Sequence, residues 1–147
     1  MSVSSKTRAS ERFAELSDRA KEAEKRVAAA QDEAQAEVER HANEARAAAK
    51  AHADKLVESA GAEQAHVSKS WNDLQTSWSR HIDQMHQDLA ASKRVFDATQ
   101  AVSDAENAEG DAMAAINFAY GAIEEAEASV LDAIWAWKQA DELVKKQ

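Results

Sequence analysis

Apolar side chains recur at intervals of eleven over the first two thirds of the chain. Leu16, Val27, Val38, Ala49, Ala60, Trp71 and Ile82 form one row, and Ala23, Ala34, Ala45, Leu56, Val67, Trp78 and Leu89 a second. Eleven residues at about 100° each close nearly three turns, so both rows stay on one face of a nearly straight helix. The pattern predicts long helices packed along their length.

Breaks are expected where a residue can supply a helix-ending conformation. Gly61 and Gly110 can do so, and Asp111 can cap the next helix. The helices expected are 8–60, 62–107 and 111–145, within one domain spanning 1–147. Gly121 lies inside the third helix and is read as a packing residue. Folding about residue 61 sets position i against about 122 − i, which places Ala45 by Trp78, Val38 by Met85, Ala34 by Leu89 and Val27 by Phe96. Small side chains then meet large ones, as a dense interface requires. The fold expected is all-α, a long antiparallel three-helix bundle or coiled coil. The alternative is a continuous rod over 8–107 with the third helix folded back, because the eleven-residue phase runs through Gly61 unbroken. One helical glycine costs only about 1 kcal/mol.

The third helix changes period. Ala112, Ala119, Ala126, Ala133 and Ala140 repeat every seven residues, beside Ile116, Ile123, Val130, Trp137 and Val144. About 180° away runs another row, Ala114, Gly121, Ala128 and Trp135, flanked by Phe118 and Leu131. A helix apolar on two faces is usually buried on two faces. The second face, represented by Phe118, Gly121, Leu131 and Trp135, is therefore expected to form a homo-oligomer or receive a protein partner. The first helix offers mainly alanine to its neighbours, so its docking is expected to be the weakest.

Composition agrees with the pattern. There is no proline, three glycines, and an excess of good helix formers. Zero cysteines exclude disulfides and thiolate chemistry. No apolar leader opens the chain and no uncharged run is long enough to span a bilayer, so a cytoplasmic location is expected and membrane association is not. The net charge is −9, with three basic and eight acidic residues over 109–147. Such a chain repels nucleic acid and anionic lipid.

Little in the sequence points to a reaction. Three isolated glycines cannot cradle a phosphate, and no serine lies in a strained glycine-flanked turn. Glu63–His66 and Asp83–His86 have the i,i+3 spacing of di-iron bundles but lack an inward acidic cluster. The fold about residue 61 brings His41 near His81, the one candidate pair for a transition metal. No catalytic residue, cofactor or resident metal is expected, and the chain is not expected to be an enzyme.

The segment over 105–143 contains Ala114-Ala115-Ile116-Asn117-Phe118-Ala119-Tyr120 and Val130-Leu131-Asp132-Ala133-Ile134. It resembles small uncharacterised, alanine-rich, all-helical proteins of high-GC actinobacteria, a resemblance that implies no activity. The eleven-residue periodicity over 13–96 is similar to that of exchangeable apolipoproteins and desiccation-protective helical proteins. The leading expectation is a non-enzymatic structural or adaptor protein acting by helix–helix contact. The alternative is a lipid-surface or stress-protective amphipathic protein.

Overall fold

A computed structural model describes the backbone of residues 2–59, 68–92 and 97–147, and the side chains of 8–55, 68–88 and 97–147. Within them lie four helices and no strand: α1 (Ser2–Ala30), α2 (Gln35–Ser59), α3 (Lys69–Ser92) and α4 (Ala98–Lys145). The contacts group the chain into two compact units where the sequence pattern suggests one domain. One comprises Met1–Ala28 with Ala105–Gln147, and the other Ala29–Asp104.

The expected first helix, 8–60, is two helices. After α1 the Asp32 and Glu33 amides donate to the Ala29 and Ala30 carbonyls at 3.1 and 3.2 Å, a tightened last turn. The chain re-enters a helix when the Glu37 and Val38 amides both donate to the Ala34 carbonyl. No glycine or proline marks this break. Across it, His41 Nδ1 lies 3.3 Å from Glu33 Oε2. Eight residues of unbroken helix separate two positions by about 12 Å along the axis, so this contact exists only because the helix stops between α1 and α2.

The expected second helix, 62–107, is also corrected, because the chain leaves the helix after Ser92 and starts α4 at Ala98. Asp97 caps that start, its carboxylate accepting from the Thr99 amide at 2.9 Å and its carbonyl from the Ala101 amide at 2.8 Å. Ser68 does the same for α3 through the Trp71 and Asn72 amides. Gly110 lies within α4 with ordinary helical backbone, so neither it nor Asp111 marks a boundary.

Within the second unit, α2 and α3 pack antiparallel. Lys50 meets Asp83 and Asp54 meets Ser79 across the pair. The continuous rod is thereby excluded, since the chain reverses between Ser59 and Lys69; Gly61 itself lies outside the described residues, as do the side chains of Glu63, His66, Leu89 and Phe96. Both cross-contacts set position i opposite 133 − i rather than the expected 122 − i. The displacement is one eleven-residue repeat, so the pairings of Ala45 with Trp78 and of Val38 with Met85 are replaced. A slip of one full repeat returns the same stripe to the interface, and hydrophobic periodicity cannot choose between the two registers. The polar groups can. In the expected register Lys50 would face Asn72 and Asp54 would face Ser68, leaving the ammonium without its cross-helix carboxylate.

The core is thin. Ala53, 1% exposed, is the one buried hydrophobic residue among those described. Around it Ala42, Arg46, Ala49, Lys50 and Asp54 of α2 are half-buried, as are Trp78, Ser79, Ile82 and Asp83 of α3. Trp71, expected in the core, lies at the surface at 39% exposure. In the first unit, Phe13 and Leu16 of α1 line a shallow groove with Ala126 and Val130 of α4. No helix among the described residues is long and apolar enough to cross a membrane.

Candidate functional site

α4 is built to be helical and left uncovered. Alanine occupies its rows at heptad spacing, and 112–123 is a run of twelve residues with no charge. Alanine favours the helix but buries little area. None of its residues is buried. The side that meets α1 is marked by half-buried Ala126, Ser129, Val130 and Ile134. Arg8, Ala9, Arg12, Phe13 and Leu16 of α1 line the groove on that side.

Large apolar side chains are exposed on both sides of α4: on the seam expected to pack, Ile116 is 50% exposed, Ile123 46%, Trp137 41% and Val144 71%. On the opposite row Phe118 is 51% exposed, Leu131 56% and Trp135 67%. Gly121 sits between them, and a methyl group built on it would meet nothing within 4 Å. Its backbone is ordinary helix, with no glycine at positive φ among the described residues. The packing role expected for Gly121 is thus not seen among the described residues. A glycine in a helix interior costs about 0.5–1 kcal/mol relative to alanine, and no contact among the described residues offsets it. The four residues singled out from the sequence, Phe118, Gly121, Leu131 and Trp135, lie together on this helix.

The expected histidine pair is not brought together. His41 belongs to a cluster with Glu33 and Glu37, whose ligand-type atoms lie within 4.8 Å of one another. His81 stacks on Trp78 with ring centroids 5.4 Å apart and planes inclined by 27°. The one-repeat slip in register is the reason, because it removes α3 position 81 from His41.

The Glu33, Glu37 and His41 set carries the donor types of a divalent-cation site, but it already holds a cation. Arg40 Nη2 donates to Glu37 Oε2 at 2.8 Å, and Nη1 to Glu44 Oε1 at 2.8 Å. The Arg40 hydrogen bond and charge hold the Glu37 carboxyl below its usual range, and Glu37 in turn raises the guanidinium. Arg40 Nη2 also lies 3.1 Å from His41 Nε2. A guanidinium can only donate, so Nε2 accepts and the proton of a neutral ring sits on Nδ1, facing Glu33. Nδ1 is closed to solvent and its 3.3 Å approach to Glu33 falls short of a well-aligned hydrogen bond. The cluster is a corner clasp, with Arg40 where a metal's charge would stand.

A second polar group lies between α2 and α3. Asn43, Arg46, Lys50, Asp54 and His86 line an open hollow there. Lys50 Nζ is 3.0 Å from Asp54 Oδ1 and 2.7 Å from Asp83 Oδ1, which raises its ammonium and lowers the Asp54 carboxyl. Neither this network nor the Glu33–His41 clasp is evident from the apolar pattern. The signal that could have found the first is charge placed on the face of helices otherwise lined by alanine.

No protein-family model matches the chain, and no curated protein or solved structure shows detectable similarity to it. The observations define an all-helical chain with a long, exposed helix that carries several uncovered large apolar side chains.

Proposed function

We propose that this protein is a non-enzymatic structural or adaptor protein that works by helix–helix contact through α4. The observation that supports this reading is the 48-residue helix without a buried residue, which presents Phe118, Leu131 and Trp135 at half exposure or more. Covering a large apolar side chain contributes about 1.5–3 kcal/mol when complete, so three half-exposed ones offer on the order of 3–4 kcal/mol to whatever packs there. Several large apolar side chains exposed on one helix are a common mark of an interaction site. The acidic character of α4, ten carboxylates against two lysines, disfavours an anionic lipid surface and favours protein. A cytoplasmic setting belongs to the same reading, supported by the absence of cysteine.

The test is a photo-crosslinking residue at position 135 in the producing cell. Discrete protein adducts, lost when Leu131→Glu is added, are expected. Adducts to lipid alone, or helicity that is low in buffer and rises sharply on zwitterionic vesicles, would overturn the proposal in favour of a lipid-surface protein.

A further inference from the structure

The break between α1 and α2 brings together donor groups that a continuous helix would hold apart. Glu33 lies in the break, and Glu37 and His41 lie on the first two turns of α2. In unbroken helix Glu33 and His41 would stand about 12 Å apart along the axis. Here one donor atom of each of the three residues lies within 4.8 Å of the other two. All three belong to the second unit.

The contact between Glu33 and His41 is too long for a good hydrogen bond and suits a shared ion. His41 Nδ1 is closed to solvent and has no hydrogen-bond partner, yet it lies 3.3 Å from Glu33 Oε2. Zinc holds imidazole nitrogen and carboxylate oxygen at about 2.0–2.1 Å, and two ligands on a tetrahedron of that size stand about 3.3–3.4 Å apart. The observed separation matches that edge. A ring nitrogen shielded from water costs free energy until a partner completes it.

Glu37 adds a second carboxylate, which Arg40 holds while also bonding Glu44 and touching His41 Nε2. This bridging lets Arg40 release Glu37 without becoming an unpaired charge, because the bond to Glu44 at 2.8 Å remains. The release is coupled to the imidazole. In the neutral ring, coordination through Nδ1 puts the proton on Nε2, which then donates; Arg40 can only donate and must leave it. A metal ion and Arg40 are therefore alternative occupants of one place.

The imidazole selects the class of ion. Magnesium and calcium take oxygen ligands, whereas zinc and its first-row neighbours accept a mixed nitrogen and carboxylate set. We infer that Glu33, Glu37 and His41 form a site for a divalent transition ion of the zinc class, which loads by displacing Arg40 onto Glu44. The inference is independent of the docking reading of α4.

The experiment titrates zinc into the untagged full-length protein at about pH 7.5, where an ordinary histidine is largely neutral, with circular dichroism reporting the fold. One zinc per chain is expected to bind at concentrations below about 0.1 mM, and magnesium is not. His41→Gln and Glu33→Gln are each expected to weaken zinc binding about tenfold or more, at least what the loss of an outer-shell group costs. Arg40→Gln removes the competitor and is expected to bind zinc severalfold more tightly, a result that loss of fold cannot produce. His81→Gln and His86→Gln are expected to bind as the parent chain does. An absence of zinc binding in that range would overturn the inference. So would binding unchanged in both His41→Gln and Glu33→Gln, or binding lost in His81→Gln or His86→Gln. Zinc held no more tightly by Arg40→Gln would overturn the exchange with Arg40.

Discussion

Lys50 on α2 lies 2.7 Å from Asp83 on α3, and this contact, with Asp54 and Ser79 beside it, sets which of two equivalent alignments the helix pair adopts. The apolar stripe fits either alignment. Lys50 keeps Asp54 of its own helix in either alignment and gains Asp83 of α3 in the one observed. Chemistry on the flank of the interface thus decides what the interface itself leaves open.

That assignment is directly testable with paired cysteines in the cysteine-free chain. Ala47→Cys with His86→Cys, which line the same hollow, is expected to form an intramolecular disulfide under mild oxidation. Val38→Cys with Met85→Cys, opposed only in the alternative alignment, is expected to stay reduced. The reverse result would show that the stripe had slipped by one repeat.

Stability of the α2–α3 pair should depend on pH at both extremes. The Asp54 carboxyl is lowered chiefly by its hydrogen bond to Lys50, so its contribution is present above the ordinary aspartate value of about 3.9 and is lost as pH falls through the lower folded value. The Lys50 ammonium is raised chiefly by its hydrogen bond to Asp83, so its contribution is complete below about 10.4 and is lost as pH climbs through the higher folded value. Melting temperature is expected to fall below about pH 4 and above about pH 10.5, with a plateau between. Asp83→Asn should flatten the alkaline limb while leaving most of the acid limb. An unchanged alkaline limb in that variant would refute the assignment.

Ala53 is the position where added volume should hurt most. At 1% exposure it has no room for a larger side chain, and Ala53→Leu is expected to cost about 1–3 kcal/mol in urea unfolding. Ala114→Leu, on the exposed face of α4, should change monomer stability by no more than about 0.5 kcal/mol. Equal effects at both positions would mean that the α2–α3 contact is not packed as described.

Gly110 distinguishes a helix end from a helix interior. It has ordinary helical backbone and open space where a Cβ would stand. Gly110→Ala is therefore expected to stabilise the protein by about 0.5–1 kcal/mol. Destabilisation of similar size would indicate a left-handed cap at this position.

α1 should open first in hydrogen exchange. Phe13 is half-buried and Leu16 is 49% exposed, so few apolar atoms hold this helix to α4. Phe13→Ala is expected to speed amide exchange in α1 while leaving α2 and α3 protected. Uniform acceleration across all helices would show instead that α1 unfolds together with the rest of the protein.

Helix content followed from composition and period: without proline, and with alanine, glutamate and lysine throughout, the backbone has little alternative. The rows of α4 could be placed on its surface from a seven-residue spacing, but which of them is covered could not: Ile116, Ile123, Trp137 and Val144, expected to pack, are as exposed as Phe118, Leu131 and Trp135. Three features required the tertiary structure. The break over 31–34 carries no glycine or proline, so no strong local signal marks it along the chain. Gly110 could end a helix but need not, and Asp97 provided a better cap for the start of α4. The register of α2 against α3 was undetermined in principle, since a stripe repeating every eleven residues is unchanged by a slip of eleven. Local propensity acts on neighbours a few residues apart and can be read along the chain. Ion pairs such as Lys50 with Asp83 join residues distant in sequence, and they acquire a partner only once the helices have come together.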